Sequence, residues 1–416
     1  MNLQPLKGFR DFYPEQMSFR NWLFKQMSQT AKLFGYQQYE GPTLEPVDLY
    51  VAKSDEELVD KQTFILKDKN DKSLAMRPEL TPTLARMVAN KQNGLVFPLR
   101  WFAIGPRWRY EQPQKGRFRE FWQWDVDLIG EESLQADAEV IALGCNLLKK
   151  IGLSPKEVTV KINNRRFLQE KLTEIKISPD KVKSIFKVID RKDKLEAKDW
   201  EKYLQEVVGD EKQEKEIIAL LENKKFGDFP ELVELFNLLK ELGVEEYVEF
   251  DPLIVRGLDY YTGTVFEARD KDGEFRTIFG GGRYDNLLSL FGGQKITGVG
   301  FAAGDAILEE VLKKFDKLPK LKNNNEVLVT IFSSEFLEKS LKTAELLRNN
   351  KINTAIYPNK DAKLEKQLKY ADKKDLRFVV IVGPDEVKNE TIIIKDLSTG
   401  SQRTISLKEI DNFFLS

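Results

Sequence analysis

The sequence predicts an α+β domain built on an antiparallel sheet, interrupted by a helical insertion and followed by a small α/β domain. Three observations carry this. Strand-like alternation fills Leu95 to Gly130 and returns at VEFDPLIVRGLDYY and GTVFEARD. Between these tracts, residues of about 171–246 turn Lys/Glu-rich, glycine-poor and helix-favouring, as in EKEIIALLENKK. Beyond the polar link LPKLKNNNE (318–326), strand and helix alternate to the end. The boundaries drawn are 1–322 for the first domain and 325–416 for the second, and a chain of 416 residues has room for both.

In chain order, SFRNWLFKQMSQTAKLF (18–34) sets Phe19, Trp22, Leu23, Met27 and Phe34 on one helical face, with Gly35 as the stop. YQQYEGPTLEP is extended, and Pro42 within it fits an edge or an interface. WQWDVDLIG alternates: Trp122, Trp124, Val126 and Leu128 on one face, Phe121, Gln123, Asp125 and Asp127 on the other. Upstream, Arg107, Arg109 and Glu111 alternate with Trp108 and Tyr110, and QPQKGR (112–117) links the two strands. The charged face either meets water or forms a site. In the C-terminal part, EVLVTIF, a helix over 335–349, INTAIYP, a helix over 361–374, RFVVIVG, TIIIKDL, QRTISL and a closing helix follow in turn.

Hydrophobic residues make up 41% and charged residues 32%, with net charge -1, so a nucleic-acid partner would have to be met by local patches. Cys145, the single cysteine, excludes a disulfide framework and reads as packing within IALGCNLLKK. The start, MNLQPLKGFRDFYPE, has no apolar signal region and no run approaches a membrane span, so the expectation is a cytoplasmic protein without a membrane partner. The chain contains no histidine. Ser-His-Asp and Cys-His chemistry, histidine metal ligands and an imidazole base are therefore excluded. Catalysis must come from carboxylates, arginines, lysines or bound ions, or from a nucleophile that the substrate supplies.

Four clusters are candidates: RPELTP (77–82), the Arg107–Asp127 hairpin, VRGLDYYTGTVFE (255–267) around Arg256, and FGGGRYDNL (279–287). Taken alone, VRGLDYYTGTVFE also fits a hairpin whose tyrosines fill the core. The glycine triplet permits close backbone approach to a ligand, and a tight hairpin explains it as well.

In this order the clusters resemble the histidyl-tRNA synthetase family of class II aminoacyl-tRNA synthetases. KGFRDFYPE is similar to the family's N-terminal signature and GPTLEP to motif 1, the dimer-interface segment. FAIGPRWRYEQPQKGRFREFWQWDVDLIG is similar to motif 2, and VRGLDYYTGTVFE and GGGRYDNL to the two histidine-specific stretches. KLEKQLKYADKKDLRFVVIVG and TIIIKDLSTGSQRTI resemble its anticodon-binding domain. The resemblance implies a class II catalytic fold, a homodimer, and ATP-dependent ligation of L-histidine to tRNA(His) through histidyl-adenylate, with Mg²⁺ bound beside ATP.

It also implies roles. Arg109 would bridge the substrate carboxylate and the α-phosphate, and Arg256 would sit against the α-phosphate, making these the catalytic pair. Glu111 would read the adenine amino group, Phe121 stack on the ring and Arg117 clamp the outer phosphates. Glu79, Thr81 and Gln123 would hold the α-amino group, and Asp127, Tyr261 and Tyr284 the imidazole. Gln112, Gln114 and Lys115 would reach the tRNA acceptor end. One position departs from the pattern: in TGVGFAAGDAILEEVL (297–312), Ile307 stands where motif 3 carries an arginine. The alternative is a non-catalytic regulatory paralogue of ATP phosphoribosyltransferase. The C-terminal domain and the intact Arg-Gly-Leu-Asp-Tyr-Tyr string speak against it.

Overall fold

The computed structural model describes residues 3–51, 62–256, 260–285, 295–321, 327–410 and 413. The chain divides into two compact units, Met1–Pro319 and Lys320–Ser416.

In the first unit, α1 (Pro14–Leu33) starts ahead of the expected Ser18, because Pro14 sits in the first turn, where its missing N–H costs nothing. Gly35 closes it with φ +80, and the Tyr36 N–H returns to the Ala31 carbonyl at 3.1 Å. β1 (Gln37–Gln38) follows, then β2 (Leu44–Pro46), the short α2 (Asp48–Val51), β3 (Phe64–Lys67) and β4 (Ser73–Met76). Strands β2, β4 and β3 make a small antiparallel sheet. After α3 (Thr81–Lys91) come the long strands β5 (Leu99–Trp108) and β6 (Glu120–Ile129).

These two pair antiparallel, with Arg107 opposite Phe121 and Asp127 opposite Trp101. Trp124, Val126 and Leu128 point into the main core, against α1 and α4 (Leu134–Lys150). The opposite, charged face does not meet water: Arg107, Asp125 and Asp127 are all buried. Cys145 is buried in α4.

Next come β7 (Val158–Asn164) and five helices: α5 (Arg165–Glu174), α6 (Pro179–Asp190), α7 (Ala197–Val208), α8 (Glu211–Glu222) and α9 (Pro230–Glu241). They do not act as one module. Leu172, Ile185, Val188, Trp200, Leu204, Ile217 and Leu221 form a separate core for α5 to α8, joined by Val255. Helix α9 instead buries Leu232, Leu235 and Leu239 in the main core, each contributing about 1.5–3 kcal/mol.

Strands β8 (Val248–Phe250), β9 (Thr264–Asp270), β10 (Phe279–Tyr284) and β11 (Gly298–Gly304) complete an eight-stranded sheet in the order β1-β5-β6-β11-β10-β9-β7-β8. Its centre is antiparallel, whereas the edge strands β1 and β8 pair parallel to β5 and β7. Helix α10 (Asp305–Lys314) follows β11 directly.

The second unit holds β12 (Val327–Val329), α11 (Leu337–Asn349), β13 (Thr354–Ile356), α12 (Leu364–Lys373), β14 (Phe378–Ile381), α13 (Pro384–Asn389), β15 (Thr391–Asp396) and β16 (Gln402–Ser406). Its sheet runs β13-β12-β14-β15-β16, parallel on one side of β14 and antiparallel on the other. Helix α13 is additional to the expected elements. The expected closing helix is a 3-10 turn over Leu407–Glu409, and most residues after it lie outside the described ones. Among the described residues, no helix is long and apolar enough to cross a membrane.

Candidate active site

Cross-strand register gathers the candidates on one face of the eight-stranded sheet. Glu267, Gly280, Ala302, Asp125 and Ala103 lie side by side across β9, β10, β11, β6 and β5. One step along, Val265, Gly282, Gly300, Asp127 and Trp101 form a second row. The middle of this face is a floor of small residues, and long side chains lie flat on it. A Cβ on Gly280 would collide with the Arg256 guanidinium, and one on Gly300 with the Asp127 carboxylate. A Cβ on Gly282 would stand 2.8 Å from Tyr261 Cδ1. The glycines of FGGGRYDNL thus make room for the protein's own side chains within an inner strand, not for a tight turn.

At one end of the face, Tyr284 donates from its hydroxyl to Asp127 Oδ1 at 2.7 Å. Burial pushes Asp127 up to about 7; the Tyr284 hydrogen bond works against that rise, and the neighbouring Asp125 adds to it. Tyr261 and Tyr284 are buried, and Tyr260 packs on both, with ring centroids 4.8 and 6.2 Å away. Arg107 Nη2 meets Asp125 Oδ2 at 2.5 Å, and Arg77 bonds Glu40, Gly41 O and Pro106 O at 2.5, 2.7 and 3.0 Å. Arg107 and Asp125 are both desolvated, at a cost of several kcal/mol per ion that their close pairing offsets, so losing either partner would be costly, whereas the Glu40 that meets Arg77 stays half in water. Tyr39, which the sequence reading left aside, places a buried hydroxyl in the electrostatic reach of Asp127.

At the middle, Arg256 takes a left-handed backbone, φ +58, and its Nη1 donates to Glu267 Oε1 at 2.7 Å. Glu267 also accepts from Arg269 Nε and Thr277 Oγ1, both at 2.9 Å. Burial works to raise Glu267, yet the guanidiniums of Arg256 and Arg269 outweigh it and hold the carboxyl at about 2. Arg109 donates from Nε to Pro78 O at 2.9 Å, and its guanidinium lies 5.4 Å from the Phe121 ring centre. Burial lowers the Arg109 pKa and the nearby Glu79 opposes it. Arg109 lies against Phe121 of β6 and Arg256 against Gly280 of β10, two strands away, so both guanidiniums rest over the same face of the sheet.

At the other end, Arg117 pairs with Glu111. Lys115 meets Glu274 at 3.0 Å, and Arg276 donates to Gln114 Oε1 at 3.2 Å. Gln112 is exposed; Gln123 is half-buried between Gly105 and Gly304; Thr81 opens α3. Gly257–Asp259, the centre of the Arg-Gly-Leu-Asp-Tyr-Tyr string, lie outside the described residues, as do Asn286 and Leu287.

Ile307 packs on Gly116, whose φ is +70. Two residues earlier, Asp305 accepts the Trp122 N–H at 3.0 Å and meets Arg10 at 3.1 Å and Arg20 at 3.8 Å. Arg10 stacks on Phe118 and Arg20 on Trp122, with centroid distances of 4.1 and 4.3 Å. The N-terminal signature therefore fastens the first turn of α10, a link across 295 residues that the motif did not disclose. Beside Arg256 and Tyr261 opens a cavity of about 570 Å³ toward α6, lined also by Arg165, Lys183, Lys187 and Arg191.

Residues 8–308 match the family model of histidyl-tRNA synthetase. The chain belongs to the histidyl-tRNA synthetase family. Residues 326–416 match the anticodon binding domain. A histidine–tRNA ligase of Leptospira biflexa serovar Patoc is 38% identical over 97% of this chain and 95% of its own length. The crystal structure of histidyl-tRNA synthetase from Nostoc sp. PCC 7120 is similar at 26% identity and TM-score 0.83, covering 99% of this chain and 100% of that one. An ATP phosphoribosyltransferase regulatory subunit/histidyl-tRNA synthetase from Bacillus halodurans C aligns at 25% identity and TM-score 0.74, over 89% of this chain and 97% of that one. The full-length relatives give the regulatory-paralogue alternative no advantage. The fold described above is that of the class II histidyl-tRNA synthetases, and the family's reaction consumes ATP.

Proposed function

We propose that the chain joins L-histidine to tRNA(His) on the charged face of its large sheet, in the cytoplasm. The placement of Arg109 on Phe121 and of Arg256 on Gly280, over the sheet face that also holds the Asp127–Tyr284 pair, is the observation that carries this reading.

A histidine carboxylate oxygen attacks the α-phosphorus of ATP, the Pα–O–Pβ bond breaks, and pyrophosphate leaves with the electron pair. The nucleophile belongs to the substrate, which suits a chain without histidine. Arg109 spans the incoming carboxylate and the α-phosphate, for which a planar fork is suited. Arg256, fixed by Glu267, stabilises charge on the α-phosphate oxygens as it develops. Phe121 stacks on adenine. Glu111 and Arg117, now paired with each other, separate to take the adenine amino group and an outer phosphate. Among the described residues no carboxylate cluster would hold a metal ion, so Mg²⁺ would be held with the nucleotide and would supply charge neutralisation there.

Glu79, Thr81 and Gln123 hold the α-ammonium group. Asp127, with Tyr261 and Tyr284, reads the imidazole: when ionised, it accepts the ring N–H on the oxygen that Tyr284 leaves free, and an apolar isostere would leave that oxygen unpaired. A hydroxyl of the terminal ribose then attacks the adenylate carbonyl and AMP leaves. Gln112, Gln114 and Lys115 reach that acceptor end. Exposed Leu44, Val51, Ile65 and Leu66, on and beside the small sheet, favour a homodimer.

The test is histidine-dependent exchange of labelled pyrophosphate into ATP, followed by charging of tRNA(His). Exchange with histidine alone among the twenty amino acids is expected. A folded chain that shows none at saturating histidine would be a regulatory paralogue instead.

A further inference from the structure

We infer that Arg276, on the turn between β9 and β10, binds the outer phosphates of ATP in place of the arginine that Ile307 has replaced. This rests on the reading of the site given above.

The motif 2 link has two neighbours. On one, Ile307 closes against Gly116, so position 307 contributes an apolar contact and no charge. The other is the turn after β9. There Arg276 Nη2 holds Gln114 Oε1 at 3.2 Å, and Gln114 in turn exchanges backbone hydrogen bonds with Arg117 at 3.1 and 2.9 Å. Arg276 and Arg117 thus belong to the same short bridge, one anchored on its side chain and one built into it.

The carboxylates of this neighbourhood are already engaged. Glu274 is shared by Lys115 at 3.0 Å and Lys314 at 3.2 Å, Glu267 by Arg256 and Arg269, and Glu111 by Arg117. Among the described residues no carboxylate pairs with Arg276, and its hydrogen-bond partner is a neutral amide. It is exposed, so it can reach an incoming ligand without rearranging the sheet. Burial lowers Arg117 to about 10, and repulsion from Arg276 and then Arg109 adds to this. Two arginines held on one bridge, of which only Arg117 has a carboxylate partner, fit a polyanion, and the triphosphate is the polyanion that this end of the face receives.

The experiment is Arg276→Ala in pyrophosphate exchange without tRNA. The KM for ATP should rise roughly 10- to 100-fold, the effect of losing one charged hydrogen-bond partner, while the KM for histidine holds. Arg276→Lys should recover part of the loss, since it restores the charge without the fork. If the ATP KM stays put and only the tRNA KM in charging rises, Arg276 is a tRNA contact and the inference falls. It falls too if both substrates weaken equally with a lowered melting temperature. Calorimetric binding of ATP to both variants separates the two levels. ATP bound through Arg276 by a chain without histidine-dependent exchange would keep the inference and remove the synthetase reading.

Discussion

The two ends of the charged face are built on opposite plans. At the amino-acid end, Asp127, Tyr284, Arg107 and Asp125 are buried and each already has a hydrogen-bonding partner. At the nucleotide end, Arg117 and Arg276 are only partly covered and meet on one short bridge through Gln114, with Glu111 paired to Arg117. A neutral ring that must be told from its isosteres calls for a rigid, dry, fully paired receptor. A mobile tetra-anion calls for surplus positive charge that can move. Preorganisation is concentrated where discrimination is needed, and unspent charge where binding strength is needed.

Substitutions can break that contrast. Arg256→Ala should be the most damaging, slowing adenylate formation roughly 10²- to 10³-fold with a smaller change in histidine affinity. Single-turnover quench measurements would read it, and equal losses in rate and affinity would mean that Arg256 serves the ground state as well. Gly280→Ala comes next: the new methyl would push the Arg256 guanidinium off the floor, and a misplacement of that order costs up to about 100-fold in kcat. Its melting temperature should fall only modestly, because the guanidinium end can give way while Glu267 keeps Arg269 and Thr277 as partners, and a collapse in stability would show that the floor supports the fold instead.

Asp127→Asn should lower kcat/KM for histidine roughly 10- to 100-fold, leaving the ATP KM unchanged. The pH profile sharpens the same point. Asp127 accepts the imidazole proton only when ionised, so the KM for histidine should rise as pH falls through about 7. Tyr284→Phe removes the hydrogen bond that holds Asp127 down, so this inflection should move to higher pH. Histidine's own titration is common to both proteins and cancels from the difference. The smallest effect is reserved for the rim. Lys115→Ala, breaking an exposed pair, should leave pyrophosphate exchange unaltered and change the tRNA KM by less than about fivefold.

The long strands were legible because period-two alternation in WQWDVDLIG separates Trp124 and Val126 from Asp125 and Asp127 without outside help. Edge strands β1 and β8 fall in tracts read as extended, but their parallel pairing was not legible, since two or three residues carry no signal of their partner. Composition showed one helical stretch but not that α9 belongs to the main core, because Lys/Glu-rich helices look alike until their leucines find neighbours. In the site, residue identities came from motif resemblance. What could not be read was register: that Arg256 lies over Gly280 and Asp127 over Gly300 depends on which rows β10, β11 and β6 share. The Asp305–Arg10 contact was equally hidden, with nothing in either local segment naming its distant partner.

The row of glycines under the pocket also limits how the enzyme could be recoded for a bulkier histidine analogue. Positions 280, 282 and 300 on this face are already glycine, so an engineer has nothing left to trim at them. Extra volume would have to come from Tyr261 or Tyr284, and shortening Tyr284 would disturb the very acceptor that recognises the ring.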